Sequence, residues 1–180
     1  MIAALFLVIQ LLGQSESKTI LCDGDFPNAT EVMALLNRTY MLQSLEHSPS
    51  VQCAYQIFYE KNYRNKLRHK YNYIVQPQSG KPLPKPMYVL RVVNSTIYLS
   101  SQPDFEKDFT QLDILFSDSR SCIVTKGPDI KYIPNACRLW LTELFFAKPP
   151  PQCTAGFERH CKSTPFYYNI TRCINLNEHH

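Results

Sequence analysis

The chain has 180 residues, a formal net charge of +4 from 19 Lys+Arg against 15 Asp+Glu, and seven Cys, thirteen Pro and five Gly. That length is one domain with room for a core, and a hydrophobic content of 44% excludes wholesale disorder and collagen-like repeats. Five scattered glycines leave no phosphate-cradling loop, and so small a charge gives no argument for nucleic acid.

Residues 2–13 (IAALFLVIQLLG) carry no charge. Twelve residues make only ~18 Å of helix, short of a ~30 Å hydrocarbon core. Followed by Gly13, Ser15 and Ser17, they read as a secretory signal peptide over 1–17, ahead of a single domain over 18–180. No later stretch is long enough to span a membrane, so the mature protein is expected to be secreted and extracellular. Secretion makes two further patterns readable. Asn28, Asn37, Asn94 and Asn169 each open an Asn-x-Ser/Thr sequon, where chance gives roughly one, so a glycoprotein is expected. Cysteines at 22, 53, 122, 137, 153, 161 and 173 read as a disulfide framework with one left over. No C-x-x-C or H-x₃-H spacing occurs, so no metal site is expected.

Thr30, as N-cap, opens a predicted helix over 30–37 with Val32, Leu35 and Leu36 on one face. Eight segments rich in aromatic and β-branched residues follow, at 38–45, 51–60, 67–76, 86–93, 95–101, 110–117, 121–126 and 136–143. Turn formers bound each, and the proline-rich stretch 76–86 is read as a loop because proline removes ladder donors. Behind three prolines, 152–161 is helical, with Cys153, Phe157 and Cys161 in one stripe. Regularly spaced strands of this length predict an all-β antiparallel sandwich or barrel.

Catalytic patterns are missing. None of the five histidines lies in a metal-ligating motif, no Ser sits in a Gly-x-Ser-x-Gly elbow, and Asp104, Glu106 and Asp108 flank a phenylalanine as a solvated face. Neither catalysis nor a cofactor is expected. The densest charge run, 61–70 (KNYRNKLRHK), interleaves basic residues with Tyr59, Tyr63, Tyr71 and Tyr73. It reads either as a solvated hairpin whose tyrosines alternate into the sheet or as a surface for a glycosaminoglycan or acidic protein.

The closing third carries a resemblance. The stretch 116–124 (FSDSRSCIV), then 137–140 (CRLW), then 149–153 (PPPQC) and a final Cys173 resemble the tick salivary lipocalins of the histamine-binding family. Upstream, 39–42 (TYML) and 53–55 (CAY) are similar to its first two strands. The resemblance implies an eight-stranded up-and-down barrel around a ligand cavity, with a short N-terminal helix and a C-terminal helix packed outside. It also implies bridges Cys53–Cys173 and Cys122–Cys153. On such a barrel the last helix climbs from Cys153 toward the start of the last strand, which brings Cys161 to Cys137 and leaves Cys22 odd.

Two departures from the family pattern bear on the ligand. The family's amine site wants an acid after the first of these cysteines and another before Leu-Trp; here those positions hold Ile123 and Arg138. A buried ammonium needs carboxylate partners, so histamine and serotonin are expected to bind poorly. Arg138 and Trp140, two apart in a strand, share a face. If that face is the cavity, Arg138 holds a carboxylate or sulfate; if it is the outer face, Arg138 is merely solvated. Candidate cavity residues from strand phase and family position are Tyr40, Tyr55, Tyr73, Phe116, Arg138 and Trp140. The function expected is capture of a small, lipid-like host mediator (fatty acid, leukotriene or sterol) by a secreted monomer. The alternative is a barrel serving as scaffold, its loops engaging a complement, chemokine or immune-cell protein.

Overall fold

The computed structural model describes residues 21–103, 108–129 and 136–175. The segment read as a signal peptide, together with Asp104 and Glu106, lies outside them. Helix α1 (Ala29–Leu35) precedes eight strands: β1 (Arg38–Ser44), β2 (Val51–Tyr63), β3 (Lys66–Pro77), β4 (Leu83–Val93), β5 (Thr96–Ser100), β6 (Thr110–Ser117), β7 (Cys122–Lys126) and β8 (Cys137–Leu141). After a 3₁₀ turn at Glu143–Phe145 come α2 (Pro151–Cys161), the two-residue β9 (Phe166–Tyr167) and α3 (Thr171–Asn175).

Each strand pairs antiparallel with the next, β1 pairs with both β2 and β8, and the sheet closes into an eight-stranded barrel. β9 adds to β1 from outside, opposite Gln43 and Ser44. No helix among the described residues is long and apolar enough to cross a membrane. Closure leaves two apolar volumes. The lumen is filled by Ala54, Phe58, Tyr71, Met87, Ile97, Leu99, Leu112, Ile114, Ile123 and Trp140, with α1 stoppering one end through Ala29, Val32 and Leu36. A second layer lies between α2 and the outer wall of β6–β8, where Phe157 packs on Phe116, Val124, Leu139 and Leu141.

Covalent links fix that layer. Cys122–Cys153 and Cys137–Cys161 pin α2 at its two ends to β7 and β8, while Cys53–Cys173 ties α3 to β2. Cys22 is free and exposed. The N-terminal segment is held to the same side: Asp25, its side chain only 3% exposed, meets Arg159 at 2.6 Å and His160 at 2.8 Å. Burial raises the Asp25 pKa, but hydrogen bonds from His160, Arg159 and the Cys22 amide outweigh it, and the carboxyl stays below its ordinary value.

Three local expectations are corrected. Asn28, not Thr30, caps α1, its Oδ1 accepting from the Thr30 amide, and Leu35 faces solvent while Ala29, Val32 and Leu36 face the lumen. The helix starts one residue earlier than read, and its buried stripe runs through Ala29, Val32 and Leu36, which leaves Leu35 about 100° round from Leu36 and off that face. Within the stretch read as a loop, 83–86 belongs to β4 and pairs with β3. Pairing to β5 begins only at Tyr88. Pro84 and Pro86 therefore sit where one flank of β4 has no partner strand, and their missing N–H groups break no ladder.

Gly156 marks where α2 approaches the barrel most closely. A Cβ built there would lie 2.6 Å from Phe116 Cδ1 and 2.7 Å from its Cγ. Alanine improves helix propensity by about 1 kcal/mol, but overpacking a close-packed ring costs about 1–3 kcal/mol. Gly156→Ala is therefore expected to lower the urea midpoint, by up to about 2 kcal/mol of stability. In a Phe116→Leu background the same change should become neutral or stabilising.

Candidate functional site

The lumen divides into a packed half and an open half. Toward α1, a polar chain is satisfied internally: Tyr71 donates to Gln56 Oε1 at 3.1 Å, and Gln56 Nε2 donates to Thr39 Oγ1 at 3.1 Å. Phe58 meets Tyr71 with ring centres 5.2 Å apart. Burial drives the Tyr71 hydroxyl far above its ordinary pKa, so it acts only as a neutral donor.

Above this plug, Trp140 anchors the floor, its Nε1 donating to Thr125 Oγ1 at 2.8 Å and its ring edge-on to Tyr73 at 5.6 Å. Arg138, 3% exposed, lies beside them with its guanidinium 5.4 Å from the Tyr73 ring centre. Its Nη1 donates to Gly127 O at 2.8 Å and Ala136 O at 3.4 Å. Arg138 therefore points into the barrel. Ile123, opposite Trp140 on the neighbouring strand, is fully buried among the lumen residues. Burial raises the Tyr73 pKa, and the Arg138 charge works against that rise.

The open half is a cavity of about 320 Å³, at the lower end of the usual range for small-molecule sites and the space of about ten waters. Its walls combine apolar groups (Met41, Val75, Leu83) with serine hydroxyls (Ser44, Ser48, Ser50). The ionisable lining is Arg138 at the floor, and Lys85, His47 and Glu46, all exposed, near the rim. Tyr168 closes one side: its hydroxyl donates to Glu46 O at 2.9 Å and accepts from the Ser48 amide at 3.3 Å.

Of the six residues expected in the cavity, the structure brings Tyr73, Arg138 and Trp140 together inside the barrel and places the other three on its outer surface. Tyr40 packs with Cys53, Ile170 and Cys173 under the C-terminal segment. Tyr55 stands 5.8 Å from Tyr40, with the Arg38 guanidinium over its ring. Phe116 faces α2, because the β6–β7 register shifts between Ile114 and Phe116 and turns the second outward although the first points in. Ser44 reaches the cavity by the same device, a shift between Met41 and Gln43. Tyr168 was not foreseen; it lies in the tail, and only the fold returns it to the mouth.

Elsewhere, the Asp118 carboxylate accepts from the amides of Arg120, Ser121 and Cys122 and from the Ser121 hydroxyl, holding the β6–β7 turn. It neighbours Cys122 and Cys153, but those sulfurs are bridged and offer a metal no thiolate. The four sequon asparagines are all exposed.

The sequence profile described as tick histamine binding protein matches residues 26–175. No curated protein matches the chain in sequence. Among solved structures, it is similar to that of the AM182 serotonin complex, with a TM-score of 0.59 and 19% identity over 85% of this chain and 97% of that one. It is also similar to the cockroach major allergen Per a 4, with a TM-score of 0.53 and 12% identity over 89% and 99%. Japanin from Rhipicephalus appendiculatus bound to cholesterol gives a TM-score of 0.49 and 14% identity over 76% and 95%. At these identities the first two share the barrel.

Proposed function

The chain belongs to the tick histamine-binding protein family, a lipocalin-like ligand-binding fold, and from that premise we propose that it is a secreted, non-catalytic glycoprotein that sequesters a small amphipathic host lipid bearing a carboxylate or sulfate. The observation that carries this reading is the buried Arg138 in a cavity whose other ionisable groups, Lys85, His47 and Glu46, lie exposed near its rim. A cation in a site of low dielectric attracts an anionic headgroup and repels an ammonium. Among the described residues of the lining the one carboxylate, Glu46, is out at the solvent-exposed rim, and Ile123 offers an amine nothing. Although the family is named for histamine, the charge of this cavity argues against an amine. Tyr73 supplies the aromatic surface against which a hydrocarbon chain or ring system packs, with Trp140 behind it and outside the lining.

The packed half of the lumen favours a second reading, in which the barrel is a scaffold and its loops bind a host protein. Native mass spectrometry of the enzymatically deglycosylated, insect-cell-secreted chain, with organic extraction, decides between them. A stoichiometric acidic adduct of a few hundred daltons is the expected result. Micromolar or tighter histamine or serotonin binding by calorimetry would overturn the anionic-ligand reading, and a bare mass with no lipid uptake would favour the scaffold.

A further inference from the structure

A second arrangement of charge lies on the outer wall, away from the cavity. Strand pairing sets Tyr59, Lys70 and Tyr88 in one row, Lys61 beside Arg68 in the next, and Asn72 beside Pro86 on the other side. Apart from Arg68, these residues border a shallow trough of about 480 Å³, with Tyr63 at one end. Lys70 is buried, 7% exposed, with Nζ 3.2 Å from the centre of the Tyr88 ring, and Tyr63 meets Tyr88 edge-on at 5.8 Å. Burial first, and then the charge of Lys61, push the Lys70 pKa below its ordinary value. The Tyr88 ring face offsets part of this cost, but a ring carries no charge to neutralise an ammonium withdrawn from water beside another cation.

Among the described residues no carboxylate borders the trough, and the nearby Glu60 is engaged with His69 at 3.3 Å. A bound anion would relieve the repulsion between the two lysines. Asn72 adds an independent requirement: its Oδ1 is buried with no hydrogen-bond partner. A carbonyl oxygen needs a donor, which a sulfate or carboxylate cannot supply and a sugar hydroxyl can. The tyrosine rings offer flat apolar faces with polar tips, suited to the C–H face of a sugar ring.

We propose that this trough binds a sulfated polysaccharide, a sulfate seating between Lys61 and Lys70 while a hydroxyl of the same chain donates to Asn72 Oδ1 and a sugar ring lies against the tyrosines. Such binding would hold the protein on extracellular matrix while the cavity stays open. An acidic peptide would meet the lysines and offer Asn72 a backbone N–H, but brings no C–H face of a sugar ring to the tyrosines.

The test is biolayer interferometry of the full secreted chain on a heparin oligosaccharide at 0.15 M salt, with neutral dextran as reference. Lys61→Gln, an exposed change, is expected to weaken binding about tenfold, and Asn72→Leu about threefold, by loss of a charge-assisted and a neutral hydrogen bond. Lys81→Gln, an equal change of net charge on an exposed loop, should move it less than twofold. Equal losses from Lys61→Gln and Lys81→Gln would reduce the effect to general charge and overturn the site. A sulfotyrosine peptide that binds at this trough while the oligosaccharide does not would overturn the polysaccharide as its partner.

Discussion

Removing the Cys53–Cys173 bridge by Cys53→Ala with Cys173→Ala should cost about 4–5 kcal/mol, the largest stability loss of any single bridge. The two cysteines are 120 residues apart, against 31 for Cys122–Cys153 and 24 for Cys137–Cys161. With the other two bridges intact, the shortest unfolded path between them still runs through roughly 90 residues, and loop entropy grows only logarithmically. The shortcut therefore lowers the expected loss by only a few tenths of a kcal/mol. Alanine is the right replacement because both positions are 0% exposed, and a serine hydroxyl there would need a partner. Urea unfolding without reductant should rank this variant about 1 kcal/mol below Cys122→Ala/Cys153→Ala. The reverse order would show that the bridge contributes little beyond its local packing against Tyr40 and Ile170. The same variant should bind ligand less well, since the tail that carries Tyr168 to the cavity mouth loses its covalent tether.

How far the sequence could be read depended on how many faces of each strand are covered. The barrel itself was legible: eight β-rich segments between turn formers, a signature of four spaced cysteines, and a C-terminal helix whose Cys153, Phe157 and Cys161 are all buried. Which way a given strand points was not. In β1 every residue after Arg38 is buried, and β8 is buried throughout, because the lumen covers one face and the C-terminal elements cover the other. Alternation carries no phase when both faces are apolar. Tyr40 and Arg138 were therefore ambiguous for one reason, and the structure turns the first out and the second in. Phe116 was beyond reach of pattern, since a one-residue shift in pairing inverts the face and leaves no mark in composition. The mouth of the cavity was hidden for a different reason. Ser48, Leu83 and Tyr168 come from three segments far apart in the chain, and only closure of the barrel makes them neighbours.

The ligand reading makes its sharpest demand on headgroup charge. A long-chain fatty acid should bind about 3–10 times more tightly than the alcohol of the same length, because a hydrogen bond to a charged group contributes about 1.5–3 kcal/mol where the neutral one gives about half. Arg138→Met should erase that ratio, leaving acid and alcohol within about twofold of each other. Arg138→Lys should restore part of it, since a lysine keeps the charge and loses the planar fork. Comparing acid with alcohol inside each variant matters here. Arg138 also donates to the carbonyls of Gly127 and Ala136, so its loss strands Gly127 O, leaves Ala136 O only the Gly127 amide, and lowers stability by about 1–3 kcal/mol whatever binds above it. A general loosening weakens both ligands alike, whereas loss of the clamp weakens only the acid. The preference should also fall as pH drops below the free ligand's carboxylate pKa near ~4–5, because the unbound acid is then neutral and must lose its proton to meet a guanidinium that keeps its charge. An acid-to-alcohol ratio that Arg138→Met leaves unchanged would place the headgroup elsewhere, with Lys85 at the rim the next group to remove.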